Sequence, residues 1–182
     1  GKNYVGGIAG DADIPLEASL TSSKDAFVNE GKVTAENYAG GITGAAGGNI
    51  VKASNYGNVE ATAEGGFAGG IAGIIYGTAS VKLRFISNTA AVTGTYSGSV
   101  TGANQGLDVS IERGFYYGFA ESEKFLDAAG ENRLIRAERF YYLSEEKLPG
   151  VLGEPMSAES FANGEAAWAM NAGEAVHYSL WG

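Results

Sequence analysis

The chain has 182 residues, carries a formal net charge of −9 and contains no cysteine. A chain of this length is about one domain and buries roughly two-thirds of its unfolded surface. Its acidic balance argues against phosphate-backbone binding, and the missing thiols exclude disulfides, iron–sulfur clusters, thiolate zinc and cysteine nucleophiles.

In chain order, the first recognisable element is a glycine-framed octamer, Asn3-Tyr4-Val5-Gly6-Gly7-Ile8-Ala9-Gly10. It returns as Asn37 to Gly44, as Phe67 to Gly73, and in worn form as Tyr96 to Gly102. The leading glycines, at 6, 40, 69 and 98, are 34, 29 and 29 residues apart. Such self-similarity predicts a solenoid, whose repeats bury their apolar faces only by stacking on one another. With 45% hydrophobic residues and glycines at fixed offsets, the 29 glycines are structural and not those of a flexible linker.

Two further elements keep phase with the octamer. An Asn is followed four residues later by Val at Asn29/Val33, Asn55/Val59 and Asn88/Val92. A short β-prone run precedes each Asn: Ala18–Leu20, Ile50–Lys52 and Val81–Phe85, with Val109–Ile111 matching but lacking its Asn. Each period thus predicts three strand-sized pieces between Gly or Asn turns. Stacking puts Val33, Val59 and Val92 in one inward column and Ile8, Ile42, Ile71 and Val100 in another. The octamer glycines serve either close inward packing or a left-handed corner. Asn29, Asn55 and Asn88 suit turns and are placed to bond to one another along a column.

After residue 102 the pattern degrades into last coils rich in aromatic and charged residues, including Phe115-Tyr116-Tyr117 and Phe140-Tyr141-Tyr142. Ser157 reads as an N-cap, with short helix over Phe161 to Asn171 broken near Asn163-Gly164. The predicted fold is an all-β, right-handed parallel β-helix of four to five coils over 1–143, with repeats near 3–10, 29–44, 55–73 and 88–102. A small helical cap over 144–182 closes it, the right hand being the strong default for parallel crossovers. Gly1 falls inside a repeat and the chain stops at Leu180-Trp181-Gly182, so the segment reads as one structural domain of a larger chain.

The pattern Gly-x-Val followed by Tyr-x-Gly-Gly-Ile-x-Gly resembles the GLUG-type repeat of bacterial surface proteins, including the non-catalytic regions of immunoglobulin A peptidases. Residues 31–44 and 57–73 carry the match best, and Ser157 to Asn171 is similar to the tail that follows such repeats. The resemblance covers roughly 3–102 and 140–171; Ser99 and Ala90 stand where the family has glycine. It implies a secreted or wall-attached bacterial protein, adhesin-like and extracellular, and no particular activity.

Chemistry-bearing constellations are sparse. The column after the repeated Val holds Thr34, Glu60 and Thr93, so no two carboxylates stack there as a glycosidase would need. His177, the sole histidine, cannot build a two-histidine zinc site and reads as structural or exposed. Glycines never occur at i and i+2, and no Gly-Lys-Ser/Thr follows them, which removes both the dinucleotide and the phosphate-loop fingerprints. Asp11, Asp13 and Glu17 form an acidic turn without the glycine-paced ligands of an EF-hand, so calcium has no sequence support. Arg133, Arg136 and Arg139 are interleaved with Glu131 and Glu138 and read as a solvated face.

The sequence therefore assigns no catalytic, cofactor or metal residue. Its aromatic handles are Tyr116, Tyr117, Tyr141, Tyr142, Trp168 and Trp181; they read first as core and cap packing and, if exposed together, as rings to stack on sugars, and alternation turns at least one Tyr of each pair outward. The expected function is a non-catalytic surface module for adhesion, with host or bacterial glycans or surface proteins as partners. The alternatives are a carbohydrate-active enzyme on a β-helix and a structural spacer. Nucleic acid and membrane insertion by this segment are not expected, the apolar run Phe67–Tyr76 falling far short of the ~20 residues a spanning helix needs.

Overall fold

A computed structural model describes residues 1–20, 25–106, 108–117, 135–148 and 152–171. Small and branched apolar residues between glycine and Asn corners give short strands in quick succession. They are β1 (Tyr4–Gly6), β2 (Ala9–Ala12), β3 (Leu16–Glu17), β4 (Phe27–Asn29), β5 (Val33–Ala35) and β6 (Tyr38–Gly40). Next come β7 (Thr43–Ala46), β8 (Ile50–Asn55), β9 (Val59–Ala61), β10 (Phe67–Gly69), β11 (Ala72–Ile75) and β12 (Val81–Asn88). The last are β13 (Val92–Thr93), β14 (Tyr96–Gly98), β15 (Thr101–Asn104), β16 (Val109–Tyr116), β17 (Ile135–Leu143) and β18 (Glu154–Met156), then helices α1 (Ala158–Ala162) and α2 (Glu165–Asn171).

The strands pair in parallel into four sheets and wind a β-solenoid of about three turns. Sheet A is β1-β6-β10-β14, sheet B is β2-β7-β11-β15, and sheet D is β5-β9-β13. Sheet C runs β3-β8-β12-β16-β17-β18, with β4 also on β8.

A turn holds four strands and not the three expected. The octamer is not one strand: it breaks at its Gly-Gly pair, so Tyr38–Gly40 joins sheet A while Thr43–Ala46 joins sheet B. Close packing, and not left-handed backbone, explains the glycines. None of them is among the positive-φ residues, yet a Cβ on Gly40 or Gly69 would lie 1.8 or 1.9 Å from the carbonyl oxygen of Thr43 or Ala72. The second glycine of each pair makes room for the Asn column. A Cβ on Gly7, Gly41 or Gly70 would fall 2.4, 2.3 or 2.5 Å from Cγ of Asn29, Asn55 or Asn88.

Each turn is thus pinched at its middle, and the core falls into two main compartments and a small third cluster, Ala45, Ile74 and Ala103, packed against Tyr38, Phe67 and Tyr76. The larger gathers Ile42, Ile71 and Val100 with Ile50, Leu83, Ile86 and Ile111. The smaller holds Val33, Val59 and Val92 with Ala35, Ala39, Ala61 and Ala68. The valine column stands in the expected register. Ile8 is a correction: it is 44% exposed, because among the described residues no strand stacks on its far side.

Between the compartments the Asn side chains form a ladder. Asn29 Nδ2 donates to Asn55 Oδ1 (2.7 Å), and Asn55 Nδ2 donates to Asn88 Oδ1 (2.8 Å). Each amide also donates to the carbonyl two residues on, at Gly31, Gly57 and Ala90. A second ladder, of rings, runs along sheet A: Tyr4, Tyr38, Phe67 and Tyr96 stack with centroids 5.1, 5.4 and 4.7 Å apart. Burial of Tyr38 raises its hydroxyl pKa, and Tyr4 beside it adds to the shift.

Sheet C bends along its whole height. Lys52, Phe85, Arg113 and Arg139 stack at the bend, each with φ between 52° and 68°. Residues with a Cβ adopt that conformation at a cost of about 1–2 kcal/mol each, and the flanking registers on both sides hold them there. At the far end, Ser157 caps α1 by accepting from Ser160 N–H, Gly164 (φ 88°) separates the helices, and α2 buries Ala166 and Met170.

Candidate functional site

The outer face of sheet C collects the side chains that have chemistry to offer. Because strands alternate sides, three columns turn outward. One is Glu17-Val51-Arg84-Glu112-Glu138 and another is Lys82-Ser110-Arg136. The third, beyond the bend, is Val28-Ser54-Ser87-Phe115-Tyr141-Glu154.

Charges on this face are matched. Arg84 Nε lies 2.9 Å from Glu112 Oε2, Arg139 Nε 3.8 Å from Glu138 Oε1, and Arg136 Nη2 3.5 Å from Asp108 Oδ2. Phe85, only 2% exposed, is flanked by the guanidinium groups of Arg84 and Arg113 at 5.4 and 5.5 Å from its ring centre. Glu112 and Glu138 are register neighbours on strands that pack roughly 4.8 Å apart. Two glutamates therefore occupy neighbouring register positions here, each with its carboxylate on an arginine, while the Thr34-Glu60-Thr93 column has the single one expected.

The aromatic handles separate into two classes. Tyr116 and Tyr142 are buried and take over the register of the Asn ladder above Asn88. Tyr116 O–H donates to the Leu152 carbonyl (3.0 Å), and the Tyr142 hydroxyl accepts from Leu148 N–H (2.8 Å). Tyr117 and Tyr141 face outward, one Tyr from each triplet. Tyr117, 38% exposed, is braced by Phe115 (5.2 Å) and edge-on by Phe161 of α1 (4.9 Å). Burial raises its hydroxyl pKa, and Tyr56 nearby raises it further.

Tyr56, 52% exposed, was not singled out by the sequence. The available signal was position: Tyr56 and Tyr117 each follow a ladder residue, and their N–H groups donate to Asn29 and Asn88 in the same way. Tyr141 lines an open recess of about 330 Å³ with Arg139, Lys147, Leu152, Gly153 and Glu154. Its pKa is raised, by burial first; Arg139 opposes the shift and Glu154 reinforces it. Lys147 Nζ spans the rim, 2.8 Å from both Glu154 Oε1 and the Gly153 carbonyl. Trp168 projects from α2 and is 72% exposed. Trp181, His177, Arg133 and Glu131 lie outside the described residues.

The acidic turn is engaged within the fold. Tyr76 O–H donates to Asp11 Oδ1 at 2.7 Å, and Asn49 Nδ2 donates to Glu17 Oε1 at 3.0 Å. Burial, then Asp11 and Asp13, hold the Tyr76 proton well above the usual range. Among the described residues no three acidic or histidine side chains gather as a metal site, and no helix is long and apolar enough to cross a membrane.

No family model, no curated protein and no solved structure matches this chain.

Proposed function

We propose that this chain is a non-catalytic surface module that contacts glycans through the outer face of sheet C. The observation that carries the reading is the exposed rings of Tyr56 and Tyr117, the latter braced from behind by Phe115 and Phe161. Rings held this way offer a sugar an apolar platform at low entropic cost, and the outward charges of Arg84, Glu112, Arg136 and Glu138 beside them offer hydrogen bonds to hydroxyls. The resemblance to GLUG-type repeats of bacterial surface proteins supports an extracellular or wall-attached setting, with host or bacterial glycans or surface proteins as partners. In this reading the solenoid has four to five right-handed coils, the last of them degenerate.

A glycan array tests it. Tyr56→Ala and Tyr117→Ala are each expected to weaken a reproducible hit by about tenfold, or about 1.4 kcal/mol, while Trp168→Ala, on a separate helix, leaves it within about twofold. Retention of the hit in the Tyr56/Tyr117 double variant would sink the assignment.

A second reading, a carbohydrate-active enzyme, is favoured by one observation, the Glu112–Glu138 pair. Paired carboxyls are the requirement of glycoside hydrolysis, but here each faces an arginine. If the chain is an enzyme, Glu112→Gln and Glu138→Gln should each abolish release of reducing ends from a polysaccharide panel. Turnover that survives both substitutions removes this pair from the chemistry.

A further inference from the structure

The two helices meet at Asn163 and Gly164, the only Asn-Gly step in the chain. Asn163 ends α1, its backbone N–H donating to the Glu159 carbonyl at 2.8 Å. Gly164 starts α2, its carbonyl accepting from Trp168 N–H at 2.9 Å. Both residues are exposed, and Gly164, at φ 88°, has nothing within 4 Å of a built Cβ.

The polar groups of this joint are set for one to attack another. Among the described residues nothing accepts from the Gly164 N–H, so that nitrogen is committed to neither helix. Glu165 N–H donates to Asn163 Oδ1 at 2.9 Å, an Asx turn that keeps the side-chain amide beside the following peptide bond. The same N–H polarises the amide carbonyl and stabilises negative charge that develops on its oxygen. Asn163 Nδ2 has no partner among the described residues, so it is free to leave. The ladder asparagines are the opposite case. Asn55 and Asn88 are buried, their amides are bonded in place, and Tyr56 and Thr89 follow them with side chains that shield the next nitrogen.

We propose that Asn163 is a self-modification site, at which the α1–α2 joint converts irreversibly to aspartyl and isoaspartyl linkages with water as the only co-reactant. The Gly164 nitrogen loses its proton and bonds to Asn163 Cγ; the Cγ–Nδ2 bond breaks, ammonia leaves, and a cyclic imide closes. Water then opens the ring at either carbonyl. Opening at Cγ leaves an ordinary aspartate, and opening at the main-chain carbonyl leaves the backbone running through the side chain as isoaspartate. In the folded joint Asn163 has ψ −1°, so the peptide must first rotate to bring nitrogen to carbon. Helix α1 opposes that rotation weakly, being five residues long with none buried. The isoaspartyl product adds a backbone carbon between α1, which sets Phe161 against Tyr117, and α2, which buries Met170. Conversion therefore loosens the cap in one direction only. This proposal does not depend on the glycan reading.

The test incubates the full chain beside a synthetic peptide of Ala158–Asn171 at mildly alkaline pH, with digestion and mass spectrometry at intervals. Asn163 in the chain is expected to convert within about tenfold of the peptide's rate, an opening cost of about 1.4 kcal/mol or less, and ahead of every other Asn. The rate should rise with hydroxide and the isoaspartyl product should predominate. Gly164→Ala, whose Cβ has room in the fold but shields the nitrogen, should slow conversion sharply while the circular dichroism spectrum is retained. Hydrogen exchange in α1 and α2 should quicken in the aged parent and not in aged Asn163→Gln, whose longer side chain closes a ring far more slowly. Conversion slower than the tenfold limit, or equal conversion in Gly164→Ala, overturns the proposal. Unchanged exchange in a fully converted sample overturns the loosening of the cap.

Discussion

Asn55→Ala is expected to cost about 3–6 kcal/mol of stability, a large part of the 5–15 kcal/mol typical of a domain. The side chain is fully buried and is the middle member of the ladder. Its loss deprives Asn29 Nδ2 of an acceptor, and Asn88 Oδ1 and the Gly57 carbonyl of a donor. Each buried polar group left unpaired costs about 1–3 kcal/mol. The contrast is Asn37→Ala: Asn37 Nδ2 also bonds a neighbouring Asn, at 3.0 Å to Asn3 Oδ1, but in solvent. Water replaces that partner, so the expected loss is below about 1 kcal/mol. Urea unfolding of the two variants beside the parent chain decides the matter. Equal midpoints for both would mean that the ladder contributes position and not energy.

Gly41→Ala should be more damaging still, at more than about 4 kcal/mol, in the range reserved for core overpacking. Its new Cβ would sit 2.1 Å from the Gly70 carbonyl oxygen and 2.3 Å from Asn55 Cγ. Backbone on one side and a doubly bonded amide on the other leave nothing free to yield, and the displaced amide would break the ladder as well. Gly65→Ala is the matched comparison. Gly65 has φ 82° but nothing within 4 Å of a built Cβ, so only conformational strain of about 1 kcal/mol is at stake. Soluble yield and melting temperature should rank the parent above Gly65→Ala, and Gly65→Ala far above Gly41→Ala. A Gly41→Ala protein that melts with the Gly65 variant would show that the two compartments are not held apart by this contact.

What the sequence made legible was the content of the columns. Val33, Val59 and Val92 align because a valine four residues after an Asn is a local signal, and stacking converts local signals into ladders. Asn29, Asn55 and Asn88 align for the same reason. The shape of the turn was harder to read. Gly-Gly inside an alternating apolar run is compatible with a continuous strand, and only the opposing Asn column, set by residues 14 positions downstream of Gly41, forces the corner at that point. The site was half legible. Alternation required at least one Tyr of each pair to face outward without saying which, and Tyr56 lacked an aromatic neighbour in sequence to mark it. The Glu112–Glu138 pair was hidden as well, because 26 residues separate its members and only the register of β16 on β17 unites them.

The regular spacing of the octamers conceals how the turns differ. From Val33 to Tyr38 the chain takes five steps, but from Val59 to Phe67 it takes eight and from Val92 to Tyr96 only four. From Ala46 to Ile50 it takes four, and from Ile75 to Leu83 eight. The two equal intervals of 29 therefore arise from extra residues at different corners, while every strand keeps its partner. For protein engineering this makes the molecule a display rod with independent sockets. A foreign peptide spliced at Gly65, where a side chain would meet nothing within 4 Å, should project from the shaft without shifting a rung.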